Sequence, residues 1–269
     1  MGLRKTPEDR QRAVDGDLRA ASQRIAADIR DQILSGDIKP GEDIPSTSEL
    51  VREFNASTTA VQNAMRTLKD EGLITSQKGR TTIARESRMR VMRPANFFAP
   101  AEPGQPYRWI AEAQKKGLAA VSELLDVEEV VPPASVVEAL GIAQGGTAML
   151  RRQLLKLDGE PAELVENYYP IEIARGTPIA EGKKVKGGVP TLLAELGFPF
   201  RRSVDRVSAR TPTADQGVYL KMPVGELPVL RTFRTVYSDN DRVIEVTIMA
   251  KAGHLYELEY EITNDQLTH

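Results

Sequence analysis

The sequence predicts an α+β protein in two parts, a short helical region followed by a longer strand-rich one. Three observations lead there. Residues 19–71 carry apolar side chains at helical spacing between Ser and Gly cap signals. Beyond residue 119, runs of strand length alternate with tight-turn signals. A Pro-rich stretch separates the two regions. At 269 residues the chain has room for two domains.

Residues 1–17 are polar and charge-mixed without periodicity, and read as a flexible N-terminus. The first domain is expected over 18–86. From Arg19 to Ser35, Ala21, Ile25, Ile29 and Ile33 recur every four residues on one helical face, and Gly36 ends the run. Pro40-Gly41 marks a turn. Ser46 with Glu49 three residues on is a capping box, and the helix it opens buries Leu50, Val51 and Phe54 before stopping at Asn55-Ala56. Ser57 is a second N-cap, followed by the apolar stripe Val61, Ala64, Met65 and Leu68, with Gly72 as the stop. Leu73 to Thr75 and Thr82-Ile83 read as short strands around a turn at Gln77-Lys78-Gly79-Arg80. Two capped helices joined by a tight link and followed by a basic-tipped hairpin predict a winged helix-turn-helix.

The polar side of the second capped helix gives this fold a function. Thr58, Thr59, Gln62, Asn63 and Arg66 lie off the apolar stripe, with Lys69 further along. Such hydrogen-bonding side chains read base edges in a major groove. The helix start, beside Ser57 and Thr58, favours a phosphate. An ordinary solvated face would show the same polarity. The capped helix before it and the tip Lys78-Gly79-Arg80 shift the balance to double-stranded DNA.

The formal net charge of −2 and pI of about 5.9 average over unlike regions. Arg66, Lys69, Lys78, Arg80, Arg85, Arg88 and Arg90 outnumber Asp70, Glu71 and Glu86 locally, while the acidity lies later, as at Glu128-Glu129 and Glu257-Glu259-Glu261. The absence of Cys excludes disulfides, thiolate zinc sites and a Cys nucleophile. Of the two His residues, His254 cannot build a His-based metal site alone, and no Gly-x-Ser-x-Gly elbow accompanies it. No catalytic residue, metal or cofactor is therefore expected. No apolar run reaches membrane-spanning length and the N-terminus has no h-region, so a cytoplasmic protein without a membrane partner is expected.

Residues 87–106, with Pro94, Pro100, Pro103 and Pro106, read as a linker, and 107–269 as the second domain. From Tyr107 the pattern predicts strands. Ala119 to Val131 reads as a strand stopped by Pro132-Pro133, and Ser135 to Leu140 as a short helix. Thr147 to Leu157 and Pro161 to Tyr169 form a hairpin about Asp158-Gly159. Thr191 to Leu196 and Asp215 to Leu220 read as helices. Ser203 to Ala209, Val229 to Tyr237 and Val243 to Met249 read as strands. Hairpin connections with interspersed helices argue an antiparallel α+β domain. Trp109 reads as core, and Tyr168-Tyr169 as cross-strand packing.

The run Ile33 to Gly41, Ile44-Pro45-Ser46, Glu49-Leu50, Leu68 to Leu73 and Gly79 resembles the N-terminal domain of GntR-family bacterial transcription regulators over residues 25–84. The resemblance implies that Ser46, Ser57, Thr59, Gln62 and Gly79 meet DNA, with the wing glycine at the minor groove. Many members carry arginine where this chain has Ser48, Thr58 and Gln62. Each lost guanine contact removes about 1–3 kcal/mol of discrimination, so an operator read more by Gln62, Asn63 and Arg66 is expected.

Beyond the linker the blocks Asp158-Gly159-Glu160-Pro161, Tyr168-Tyr169-Pro170, Arg210-Thr211-Pro212-Thr213 and Pro228-Val229-Leu230 resemble the UTRA ligand-sensing domain of the HutC subfamily, whose fold is similar to chorismate lyase. The resemblance implies a homodimer that binds a small-molecule effector, with Ser122, Arg152, Glu245 and Tyr256 at effector-binding positions. Gln153 and Leu155 stand where sugar-phosphate-sensing relatives tend to carry Arg, and Val165 where they tend to carry Glu. A less charged, more apolar effector is therefore expected, with Arg151 and Lys156 as further sources of charge. A structural Arg152–Glu245 ion pair on adjacent strands is the bland alternative. For the whole chain, the expected function is a repressor released from a palindromic operator by its effector. The rivals are a plasmid control protein whose second domain only dimerises, and a lyase-like enzyme.

Overall fold

The computed structural model describes residues 19–76, 82–84, 90–92, 106–222 and 227–260, which fall into two compact units. In the first, within residues 1–88, helices α1 (Ala21–Leu34), α2 (Thr47–Glu53) and α3 (Thr58–Asp70) precede β1 (Ile74–Ser76), which pairs antiparallel with β2 (Thr82–Ala84). The apolar stripes converge: Ile25 and Ile29 of α1, Leu50 of α2, and Val61, Ala64 and Leu68 of α3 form one core, closed by Ile38, Ile44 and Ile74.

Caps hold the helix ends where the residues predict them. The Ser46 amide donates to Glu49 Oε2 (2.7 Å) and the Glu49 amide to Ser46 Oγ (3.3 Å). Ser46 Oγ also donates to Glu49 Oε2 (2.6 Å), and this bond, with the one from the Ser46 amide, holds the Glu49 carboxyl below its usual range. Asn55 takes the left-handed conformation (φ +44°) between α2 and α3, and the Ala56 amide reaches back to Val51. Gly72 (φ +73°) does the same after α3, with Leu73 N–H donating to Leu68 O (3.0 Å).

One tie was not read from the sequence. Arg30 of α1 grips buried Glu71 just past α3, with Arg30 Nε donating to Glu71 Oε2 at 2.7 Å. Glu71→Ala leaves part of a guanidinium without its acceptor, and should lower first-domain stability by about 1–3 kcal/mol, seen as a lower urea midpoint.

The second unit, from residue 89 on, is built on a six-stranded antiparallel sheet of order β4-β5-β6-β9-β8-β7. Its strands are β4 (Ala120–Val130), β5 (Ala148–Leu157), β6 (Glu160–Pro170), β7 (Arg202–Arg210), β8 (Val229–Tyr237) and β9 (Val243–Ala252). Asp158 (φ +51°) and Gly159 (φ +80°) turn β5 into β6 with the double positive φ of a type I′ hairpin turn. Helices α5 (Ala134–Leu140) and α8 (Ala214–Tyr219) cover one sheet face through Val136 and, just past α8, Leu220. The other face is covered by α4 (Arg108–Lys115), α6 (Ile171–Ala174) and α7 (Val189–Glu195).

Two readings need correction. Strands were expected from Tyr107, but 108–115 is the helix α4, which buries Trp109 and Ala113 four residues apart against β5 and β9 side chains. The stretch 87–106 was read as a linker, yet Arg90–Met92 form a strand (β3) paired in parallel with β10 (Tyr256–Leu258). The other expected helices and strands of the second domain are present, with ends shifted by at most three residues.

Candidate functional site

Two surfaces have the chemistry of a site, one in each unit. In the first, α3 buries Val61, Ala64 and Leu68 and leaves Thr58, Thr59, Gln62, Asn63, Arg66 and Lys69 exposed. Ser57 Oγ accepts the Ala60 amide (3.2 Å), which fixes the helix start and leaves the first two helical N–H groups pointing outward. Ser46 and exposed Ser48 sit together at the start of α2, with hydroxyls 3.1 Å apart. The expected wing-tip contacts Lys78, Gly79 and Arg80 lie outside the described residues.

The second surface is a cavity of about 260 Å³ on the sheet face covered by α4 and α7. A smaller recess of about 70 Å³ adjoins it, and the two share Tyr107, Gln153, Asn167 and Glu245 as walls. Register explains which side chains arrive here. Arg151, Asn167, Thr247, Arg234 and Asp205 lie in one cross-strand row over five strands, and Gln153, Val165, Met249 and Thr232 in the next row on the same face. The cavity needs a glycine at 188. Its φ is +88°, and a Cβ there would lie 2.8 Å from the Tyr107 ring.

Most charges in the cavity are tied down. Arg234 makes a bidentate bond to Asp205 (2.7 and 2.6 Å). Arg151, 2 % exposed, donates to the carbonyls of Ile179 (2.7 Å), Glu181 (2.9 Å) and Lys183 (2.6 Å). Burial pushes this guanidinium down. Trp109 Nε1 donates to Glu163 Oε1 (3.0 Å). Glu245 is enclosed among Thr247, Tyr169 and Arg234. Burial pushes its carboxyl up, against the pull of hydrogen bonds from Thr247 and Tyr169 and of the Arg234 charge.

A carboxyl whose pKa is raised by folding takes up a proton as the chain folds, so its penalty is absent below the unfolded pKa and grows as pH rises above it. Glu245→Gln, always neutral, should therefore match the wild type at about pH 4 and exceed its Tm by about 2–4 °C at about pH 8, by differential scanning calorimetry.

The sequence-expected residues divide by strand parity. Ser122 and Glu245 line the cavity, and Ser122 Oγ donates to Gln153 Oε1 (2.7 Å). Tyr256 is buried in the apolar cluster with Trp109, Leu155 and Met249. Arg152 projects to the opposite face. There it pairs with Glu166 (3.4 Å) and Asp215 (3.0 Å) and stacks 4.8 Å from the Tyr219 centroid. The alternative Arg152–Glu245 ion pair does not form, because β6 separates β5 from β9 and the two side chains lie on opposite faces.

Residues 21–83 match the bacterial regulatory proteins of the gntR family, and residues 115–257, more than half of the chain, match the UTRA domain. The chain belongs to the GntR family of regulators with a UTRA domain. It is similar to an uncharacterized HTH-type transcriptional regulator of Streptomyces coelicolor, 27% identical over 88% of this chain and 90% of that protein. It is also similar to the HTH-type transcriptional repressor PhnF of Mycolicibacterium smegmatis, 22% identical over 80% and 82%. The HTH-type transcriptional repressor NagR of Bacillus subtilis is 21% identical over 86% and 90%. The crystal structure of PhnF shares the fold, with a TM-score of 0.55 at 20% identity over 89% of this chain and 99% of that one. This GntR-family chain is thus a transcriptional regulator with a DNA-binding domain and a UTRA effector domain. Among its described residues no helix is long and apolar enough to cross a membrane.

Several cavity residues of this regulator escaped the sequence reading: Tyr107, Arg151 as a wall, Tyr169, Asn167, Arg234 and Lys251. One signal was available. Gln153 and Leu155 had been singled out as ligand-facing positions, and Arg151 shares their parity on β5 whereas Arg152 does not.

Proposed function

We propose that this regulator is a homodimeric repressor whose α3 helices read the two halves of a pseudo-palindromic operator, and which a small molecule in the UTRA cavity releases. The observation that carries the reading is the exposed row Thr59, Gln62, Asn63 and Arg66 on a helix whose opposite side is locked into a core. Two equal readers on a two-fold axis require two half-sites, which supports the dimer. PhnF and NagR are named repressors, which supports the sign of regulation. A cavity of about 260 Å³, walled by apolar side chains and by polar groups such as Arg151, Asn167 and Glu245, supports an effector rather than a domain that only dimerises. Release follows if the effector prefers a conformation that DNA disfavours, and the coupling is then reciprocal.

The test is selection of bound duplexes from a random pool, followed by titration of the enriched site at several salt concentrations. Arg66→Ala should relax base preference at particular positions. Lys78→Ala should weaken all sequences alike and flatten the salt slope by roughly one unit. Equal effects of both substitutions on every sequence would reverse the assignment of base and backbone contacts.

A further inference from the structure

Among the described residues of the second domain, Lys251 is a buried cation held only by long contacts. It is 4 % exposed and lines the smaller recess, yet its Nζ lies 3.6 Å from Glu163 Oε2, 3.5 Å from Thr232 Oγ1 and 3.4 Å from Met249 Sδ. Charge-assisted bonds of an ammonium run about 2.7–2.9 Å. Arg234 beside it, by contrast, is clamped on Asp205.

The proton count along β9 points the same way. Asn167 Nδ2 donates to Arg151 O (3.5 Å), so its Oδ1 faces Thr247 Oγ1 at 3.1 Å. The same Thr247 oxygen lies 2.6 Å from Glu245 Oε1. A hydroxyl has one proton for these two acceptors. Given to Asn167, it leaves the 2.6 Å contact to be bridged by a proton on Glu245; given to Glu245, it leaves Asn167 Oδ1 without this donor. With Glu245 protonated, the enclosed groups comprise three cations (Arg151, Arg234 and Lys251) against two carboxylates (Glu163 and Asp205), which one monoanion neutralises and a phosphate dianion over-fills. Burial disfavouring the charged form of Glu245 agrees with this count; it works against the Lys251 charge, which a bound carboxylate would restore.

Resting on the reading of this cavity as the effector site, we propose that Lys251 anchors the ligand and selects an apolar monocarboxylate. The carboxylate accepts from Nζ, and the hydrocarbon lies on Trp109, Leu155, Val165 and Met249 and runs on past Gln153 into the larger cavity.

The experiment is calorimetric titration of the full-length protein with octanoate, octanol and octyl phosphate, which share one chain and differ in head group. Octanoate is expected to bind about 10- to 100-fold more tightly than octanol, and Lys251→Met to remove that preference. Because Lys251→Met strands Glu163, the pair Lys251→Met with Glu163→Gln serves as the second variant, with the same expectation. Octyl phosphate binding as tightly as octanoate, unchanged octanoate affinity in the double variant, or no binding of any probe would each overturn the proposal. Operator affinity is measured separately. Octanoate binding that obeys Lys251 without altering operator affinity supports the ligand class and counts against the effector reading alone.

Discussion

Replacing Gln62, Asn63 and Arg66 together by alanine should lower specific operator affinity about 10³-fold, toward the level of random DNA, without unfolding the protein. The three side chains are exposed, and the α3 core positions Val61, Ala64 and Leu68 are untouched. Alanine also favours the helix. Each lost base contact is worth about 1–3 kcal/mol, and because the three side chains are neighbours on one helix their losses add only in part, to about 4 kcal/mol. Phosphate contacts survive, so the residual affinity keeps most of its salt dependence. Gel-shift titration against the selected site and a scrambled one measures the ratio. A variant that still prefers the selected site by the wild-type factor would show that sequence is read elsewhere.

Arg151→Met should destabilise the UTRA domain by about 3–5 kcal/mol, which makes it the most damaging single substitution argued from the cavity. The guanidinium is the common donor for carbonyls of residues 179, 181 and 183, a stretch with little regular structure of its own. Methionine fills much of the space and satisfies none of these acceptors, each costing about 1–3 kcal/mol when buried without a donor. Arg151→Lys should rescue little, because a single ammonium cannot reproduce a planar fork aimed at several carbonyls. Melting followed by domain-specific probes should show the second-domain transition falling by many degrees while the winged-domain transition stays in place. A full-strength Lys variant would mean that the charge matters and the fork does not.

The winged domain was legible because its signals are local. Ser46 and Glu49 cap each other, Ser57 and Gly72 bracket α3, and the apolar spacing that predicts the helices is the spacing that packs. The strands of the second domain were legible for the same reason, down to the Asp158-Gly159 turn. The cavity was less so, since its rows are assembled from strands distant in the chain, and sheet order β4-β5-β6-β9-β8-β7 is not written in any one of them. A one-residue difference in position on a strand reverses the face, which is how Arg152 came to be grouped with Glu245 although Arg151 is the residue that shares its side. Helix α4 was missed because an eight-residue helix without a side-chain N-cap carries little periodic signal until Trp109 and Ala113 are seen as one buried pair.

The central claim is that the exposed side of α3 meets a duplex. The measurement that tests it most directly is the equilibrium affinity of the purified full-length protein for duplex DNA, selected and random, as a function of salt. Tight binding to a selected two-fold site, falling log-linearly with salt and lost in the Gln62, Asn63 and Arg66 triple variant, is the predicted result. Absence of salt-dependent affinity for any double-stranded sequence, or triple-variant binding equal to wild type, would contradict it.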